Sequence, residues 1–289
     1  MVLYIIIIKF AYMAVIGVDV GGTKISAGIV RDNKLSKVMT QKICARNSKK
    51  KVIEQIIQII DQLFDSSIKG VGIGVPAIVD LKTGTVYESV NITSWSKVPL
   101  KRILERKFKV PVIVNNDANC FALGEKYFGE GKNYDNIVGL IIGTGVGAGI
   151  IINGKLYCGQ NCSAGEFGRI PYLDRNVEYY CSGQFFQKEY NINGEELYQK
   201  ANRKAKKIFG IYGKHLGKAV SMIVNSIDPQ IIILGGGVSK AYCLFKDSML
   251  ESLKEWIYKK TFSNIKIKAS NTKNIAILGA ASLCFGHLD

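Results

Sequence analysis

Two short stretches of the chain have the composition of anion-binding turns. One is Asp19-Val20-Gly21-Gly22-Thr23-Lys24, and the other is Gly143-Thr144-Gly145. Glycine permits positive φ and lets backbone N–H groups approach a ligand without Cβ interference. Successive N–H groups in such a turn form an anion-binding concavity, so a phosphate is the natural guest. Asp19 stands directly before the first pair of glycines. A third stretch, "GEFGRIPYLDRNVEYYCSGQ" (165–184), sets Glu166 and Glu178 on either side of Arg169. On residue types alone these two acids could hold a metal, hold a substrate, or decorate a surface loop.

The elements that carry these groups are repeated. "IGVDVGGTKISAGIVRDNKL" (16–35) and "VGLIIGTGVGAGIIINGKL" (138–156) share one plan: an apolar strand, a Gly/Thr turn, a second strand through Ala-Gly-Ile, and a tight turn ending in Lys-Leu. Gly28 and Gly149 correspond, as do Leu35 and Leu156, each pair 121 residues apart. A single hairpin of this kind would be an ordinary Gly-containing β-turn. Two of them, each opening about half of the chain, point to two related domains and favour a phosphate role. Between and after them strand and helix alternate. Val52, Ile53, Ile56, Ile57, Ile60, Leu63 and Phe64 follow a helical period. "GVGIGVP" (70–76) reads as a buried strand halted by Pro76, and "PLKRILERKF" (99–108) as a helix with Pro99 at its first position. "VPVIVNND" (110–117) is a strand followed by the helix "ANCFALGEKYF" (118–128); "IIILGGG" (231–237) is a buried strand followed by an amphipathic run over 240–258. The pattern predicts an α/β fold with mixed sheets.

Composition excludes several classes. With 289 residues, 47% hydrophobic and 21% charged, the chain has room for two ordinary domains and is not a disordered polymer. The net charge of +16 favours anionic partners. Its lysine runs, "SKKK" (48–51) and "NRKAKK" (202–207), come without the aromatic interleaving of a nucleic-acid module. No specific nucleic-acid partner is expected. Seven cysteines, at 44, 120, 158, 162, 181, 243 and 284, contain no CxxC pair, which fits reduced thiols and a cytoplasmic setting. The apolar opening "MVLYIIIIKFAYMAVIGV" is interrupted by Lys9 and short of the roughly 20 residues a spanning helix needs, so no membrane association is expected. Either Met13 is the native start or residues 1–12 add an edge strand.

The motifs "VDVGGTK", "GVPAIVD", "NITSW", "VNNDANCFALGE", "GTGVGAGIIINGKL", "AGEFG" and "DPQIIILGGGVS" resemble, in order and spacing, the ROK family of sugar kinases and sugar-responsive repressors. The resemblance runs from Met13 to the end of the sequence. It implies a duplicated actin-like ATPase (ribonuclease H-like) fold, with two domains closing over a cleft when sugar binds. The smaller domain would comprise 1–119 plus 276–289 and the larger 120–275. The family's ATP phosphates would lie at the two glycine turns, contacting Gly21, Gly22, Thr23 and Lys24 on one side and Gly143, Thr144 and Gly145 on the other. Gly235, Gly236 and Gly237 would let adenosine approach the backbone. Asp19 would meet Mg²⁺ through water, since that ion keeps most of its waters.

Phosphoryl transfer to a hydroxyl needs positioning, charge neutralisation and a proton acceptor. Asp117, at the carboxyl end of a strand, is the candidate base; as the residue before "ANCFA" it equally suits a helix N-cap. The resemblance favours the base. Asn116 and Asn91 would contact sugar hydroxyls, with Trp95 packed beneath the Asn91 loop. Glu166 resembles the family's sugar-binding glutamate, and Glu178 the glutamate that closes a zinc-binding loop and also reaches sugar.

The pattern breaks at one place. Family members commonly continue after "GEFG" with a histidine and a CxCGxxGC cluster that bind structural zinc. Here Arg169 replaces the histidine and the cysteine loop is missing. A guanidinium cannot ligate a metal. The CxxxC spacing of Cys158 and Cys162, even with Cys181, is poor for zinc. No structural zinc is expected, and Arg169 would instead bridge the two glutamates or donate to a sugar hydroxyl. Tyr172, Tyr179 and Tyr180 would add packing. The expected activity is ATP-dependent phosphorylation of a hexose primary hydroxyl, glucose first, by a homodimer. Fructokinase and N-acetylmannosamine kinase share the same motifs. A sugar-sensing regulator is the different-class alternative, disfavoured because the hairpin at residue 16 leaves no space for a DNA-binding domain before it.

Overall fold

The structure, a computed structural model of the chain, describes residues 14–43, 48–89, 92, 94–200 and 202–285. The expectations for residues 1–12, Met13 and Asn91 lie outside the described residues. The chain divides into two compact units. The first comprises residues 1–129, 158–164 and 272–289; the second comprises 130–157 and 165–271.

Unit one is built on a five-stranded sheet. Its strands are β1 (Ala14–Val20), β2 (Lys24–Arg31), β3 (Lys34–Lys42), β4 (Ile68–Val75) and β8 (Val112–Asn116), in the order β3-β2-β1-β4-β8. Strands β1 to β3 are antiparallel, and β1, β4 and β8 are parallel. A small antiparallel sheet of β5 (Ile78–Asp80), β6 (Thr85–Tyr87) and β7 (Lys97–Val98) joins them. Unit two repeats the plan with β9 (Ile137–Ile142), β10 (Val146–Ile152), β11 (Lys155–Tyr157), β14 (Ile231–Gly235) and β15 (Lys266–Ala269), ordered β11-β10-β9-β14-β15. The two-stranded ribbon β12 (Pro171–Tyr172) and β13 (Arg175–Asn176) lies between. The hairpin duplication therefore extends to strand order and direction. Gly28 faces Gly17 across β1–β2, and Gly149 faces Gly139 across β9–β10. Both second turns use left-handed residues, Asp32–Asn33 and Asn153–Gly154, as a two-residue hairpin of primed type requires.

Helix Lys49–Asp61 starts at Ser48, whose side chain accepts from Lys51 N, and buries Val52, Ile56, Ile59 and Ile60. Phe64 lies beyond its end but still packs on the core. Helix Leu100–Phe108 buries Leu100, Leu104 and Phe108 on one face; Pro99 stands at its N-cap, one position earlier than expected. Trp95 is fully buried in the same core. Both lysine runs form the opening turns of helices, Lys49–Asp61 and Arg203–Ile227, with the lysines turned mainly outward. No described helix is long and apolar enough to cross a membrane.

Helix Ile275–Ser282 ("ILGAAS" at its core) closes unit one. An added Cβ on Gly72 would stand 1.8 Å from Ala280 O, and one on Gly279 would stand 1.7 Å from Cys120 O. Small residues thus set helix Ile275–Ser282 directly on the sheet and on helix Asp117–Phe128, backbone against backbone. That contact fixes the helix that begins at Asp117.

Candidate functional site

In unit one the polar groups gather at the carboxyl ends of parallel strands, where open α/β sheets hold ligands. Asp19 of β1 pairs in register with Gly74 of β4, and Gly74 with Asn115 of β8. Asn116 and Asp117 follow at once. The charges of Asp117 and Asp19 both reach Cys120, whose buried thiol is pushed well up by burial first and by these two carboxylates next.

Asn116, rather than Asp117, caps helix Asp117–Phe128. Its Oδ1 accepts from Ala118 N at 2.9 Å and from Asn119 N at 3.4 Å, and its Nδ2 donates to Ala77 O at 3.3 Å. Asp117 is the first helical residue, half-buried, with Oδ1 accepting from Ala118 N at 2.9 Å. Capping by Asn116 satisfies the helix end. The N-cap alternative for Asp117 is therefore corrected.

Asp19 lies largely enclosed, and burial pushes its carboxyl from 3.8 up to about 6, with Lys24 pulling the other way. The adjoining turn closes through Gly21 N donating to Lys24 O at 2.9 Å. Mg²⁺ takes oxygen ligands, often one carboxylate with several waters, and a single carboxylate beside this turn suits it.

Unit two contains the second glycine turn and a pocket of about 530 Å³ lined by Gly143, Thr144, Gln184, Tyr198, Gly237 and Lys240 among others. None of Gly21, Gly22, Gly143, Gly145, Gly235 or Gly237 has positive φ, contrary to the conformational reason anticipated for turn glycines. Gly236 does, at φ +85°, where a Cβ would also strike Ile142 O at 2.4 Å. Gly145 is required by space instead. At Gly145 a Cβ would stand 2.4 Å from Glu178 Oε2. At Gly237, which lines the pocket, a Cβ would meet no protein atom within 4 Å, so packing does not demand glycine there. At the pocket wall Lys240 Nζ and Glu195 Oε1 form an exposed ion pair at 3.8 Å.

Glu178 sits in the short helix Val177–Cys181, capped by Asn176. Its Oε2 accepts from Val146 N at 3.0 Å, directly after the glycine turn, and its Oε1 accepts from Gln184 Nε2 at 3.4 Å. Gln184 Nε2 also donates to Thr144 O at 3.3 Å, and Gly183 N to Gly143 O at 2.7 Å. Glu178 is thus part of the turn's own scaffold. Arg169 Nε lies 3.5 Å from Glu166 Oε2, with both side chains well exposed at 73% and 41%. Arg169 therefore pairs with Glu166 and does not bridge to Glu178, whose carboxylate is taken up by Val146 N and Gln184.

The ribbon and helix after "GEFG" are held by aromatic rings around His215. Tyr180 stacks on His215 at 4.8 Å, Tyr172 meets both edge-on, and Tyr172 Oη lies 3.1 Å from His215 Nδ1. Tyr180 Oη donates to Asp174. Burial first, then Lys218, push the His215 imidazole down, with Glu189 opposing. Cys158 and Cys162 belong to unit one and Cys181 to unit two. Among the described residues no three His, Cys, Asp or Glu side chains are grouped to hold a metal. Sequence reasoning missed His215, Gln184 and Tyr198. Phe209, Tyr212 and His215, three apart on a 25-residue helix, were the available signal for the cluster.

Residues 15–286 match the ROK family. Glucokinase of Thermotoga maritima is 30% identical over 94% of this chain and 97% of its own length. N-acetyl-D-glucosamine kinase of Mannheimia succiniciproducens is 31% identical over 92% and 98%. Among solved structures, a ROK family glucokinase from Streptomyces griseus in complex with glucose and AMPPNP superimposes with a TM-score of 0.81, at 27% identity over 93% of this chain and 98% of that one. With the duplicated sheets, these similarities establish an actin-like ATPase fold, and the chain belongs to the ROK family.

Proposed function

We propose that the protein is an ATP-dependent sugar kinase that transfers the γ-phosphoryl group to the primary hydroxyl of a hexose, with glucose the first substrate to test. The observation that carries this reading is the glycine-lined pocket of unit two, where Gly143 and Gly237 line open space that no protein side chain fills. The relatives named as glucokinase and N-acetyl-D-glucosamine kinase, and the neighbour holding glucose and AMPPNP, support it.

Adenosine would occupy that pocket against Gly235, Gly236 and Gly237. Phosphate oxygens would be held by backbone N–H groups of Gly143, Thr144 and Gly145, and by Gly21, Gly22, Thr23 and Lys24 at the first turn. Mg²⁺ would be held through water by Asp19 and would neutralise phosphate charge when bound. Asp117 accepts the proton of the attacking hydroxyl. Asn116 orients the sugar with the amide hydrogen not given to Ala77, and Asn91 contributes a second polar contact. Glu178 keeps Oε2 on Val146 and offers Oε1 to a sugar hydroxyl, displacing the long bond from Gln184. Glu166 accepts from another hydroxyl, steadied by Arg169.

The test is a coupled ADP-release assay over a panel of hexoses and amino sugars, with Asp117→Asn as the control. A sugar-dependent signal that falls by about two orders of magnitude or more in Asp117→Asn is expected, since a positioned base contributes on that scale. No sugar-dependent ADP from any member of the panel would overturn the kinase reading, and unchanged turnover in Asp117→Asn would remove the base.

A further inference from the structure

The loop 158–164 brings two thiols to unit one that the proposed phosphoryl transfer does not use. Both are free, Cys158 half-buried and Cys162 buried. Beneath them stand Asn115 and Asn119, four residues apart across the start of helix Asp117–Phe128. Cys162 Sγ donates to Asn115 Oδ1 at 3.4 Å. Asn119 Nδ2 lies 3.6 Å from Cys158 Sγ and 3.7 Å from Cys162 Sγ, and Asn115 Nδ2 lies 3.8 Å from Cys158 Sγ. Both sulfurs thus face the same two amides, those of Asn115 and Asn119.

The neighbouring Cys158 thiol is the main influence drawing the Cys162 thiol down to about 7; burial opposes it, and the N–H groups of Asn116 and Val79 and the Asn119 amide assist. Cys158 is pushed up. A thiol near 7 is substantially thiolate at neutral pH and therefore nucleophilic. Two thiols and two amides supply no third anionic ligand for a divalent ion, so redox chemistry fits the cluster better than metal binding.

The cluster is wired to the proposed base. Asn115 Oδ1 accepts from Asn116 N at 2.8 Å and from Asn119 Nδ2 at 2.9 Å, besides Cys162. Asn116 caps the helix that begins with Asp117. Asn119 Oδ1 is buried without a partner, so the network is already one donor short. Cys162 itself is held at φ +56°, a left-handed conformation uncommon for a residue with a Cβ.

We propose that Cys158 and Cys162 are an oxidisable dithiol, and that its closure to a disulfide by hydrogen peroxide lowers turnover at Asp117. The Cys162 thiolate attacks one peroxide oxygen; the O–O bond breaks, leaving a sulfenic acid on Cys162 and, after protonation, releasing water. The Cys158 sulfur then attacks the sulfenic sulfur, the S–S bond forms, the S–O bond breaks, and a second water leaves. Two thiols lose two electrons and hydrogen peroxide is reduced to two waters. Closing the S–S bond moves Cys162 Sγ away from Asn115 Oδ1 and Asn119 Nδ2, which loosens the bond to Asn116 N and the cap that orients Asp117. The effect on turnover rests on the kinase reading above; the disulfide does not.

The experiment treats the reduced full chain with hydrogen peroxide, counts free thiols, maps crosslinks by mass spectrometry of non-reduced peptides, and follows ADP release in parallel. A Cys158–Cys162 link reversed by dithiothreitol is expected, with turnover falling about fivefold, the worth of one neutral hydrogen bond. Cys158→Ser should have ordinary turnover before oxidation and form no reversible link, its Cys162 stopping at the sulfenic acid. A link through other cysteines, no link at all, or dithiothreitol-reversible crosslinking of Cys162 that persists in Cys158→Ser would overturn the proposal. So would a mapped link that leaves turnover unchanged. Because mapping needs no activity, failure of the dithiol and failure of the kinase reading are seen separately.

Discussion

Replacing Asp19 with asparagine should make the unliganded protein more stable above neutral pH while removing its proposed contact with magnesium. Burial moves this carboxyl from 3.8 to about 6, partly offset by Lys24. The folded chain thus holds the proton more tightly than the unfolded chain, and stability falls as pH rises through that interval. A shift of about two units, at 1.36 kcal/mol each, gives about 3 kcal/mol of destabilisation fully present above about pH 7. Asparagine has the same shape without the charge, so Asp19→Asn recovers most of it. At roughly 2 °C per kcal/mol for a chain of this size, the melting temperature should rise by roughly 5 °C. The assay is calorimetry of both proteins without nucleotide from about pH 4 to pH 8. The gap should be widest at the alkaline end, about half as large near pH 5, and small near pH 4. Addition of Mg²⁺ and ATP should stabilise the wild type more than the variant. A gap that is absent near pH 8, or that does not change with pH, would refute the buried-carboxylate reasoning.

Other expectations follow from contacts already described. Gly237→Ala should fold normally yet raise the ATP requirement several-fold in steady-state kinetics, because its Cβ meets pocket space rather than protein; Gly145→Ala should instead dislodge Glu178 and impair use of both substrates. Arg169→Ala should leave the melting temperature nearly unchanged, as exposed ion pairs contribute little, but raise the sugar requirement more than that for ATP. His215 is held below its ordinary 6.5, so stability should fall as pH drops through that value; His215→Phe should keep the ring stack and flatten this acid limb in melts followed by tyrosine fluorescence.

Much of the fold could be read from the residues. The matched hairpins appear in register as Gly17 opposite Gly28 and Gly139 opposite Gly149. The apolar runs ending in Val75, Asn116 and Gly235 became parallel strands. What escaped reading was local direction. Asn116 and Asp117 are adjacent and both suit a helix cap, and only the backbone geometry assigns the cap to Asn116. Turn glycines suggested positive φ, yet Gly145 is required by the carboxylate pressed against it from 33 residues away. The attachment of Glu178 to a backbone N–H leaves no trace in a motif. The rings around His215 are drawn from ribbon, short helix and long helix, so no single period reveals them.

The close seating of Ile275–Ser282 on Gly72 and helix Asp117–Phe128 has a consequence for how the protein is made. Unit one is assembled from three separated segments, and unit two is synthesised entirely before the last of them. A ribosome that has released residue 129 has delivered every strand of the first sheet, but the surface that receives the final helix is still bare. Contacts of such high sequence separation form late, and apolar surface exposed meanwhile invites aggregation. The second sheet can therefore mature while the first waits, and the helix beginning at Asp117 acquires its packing partner only after residue 282 has emerged.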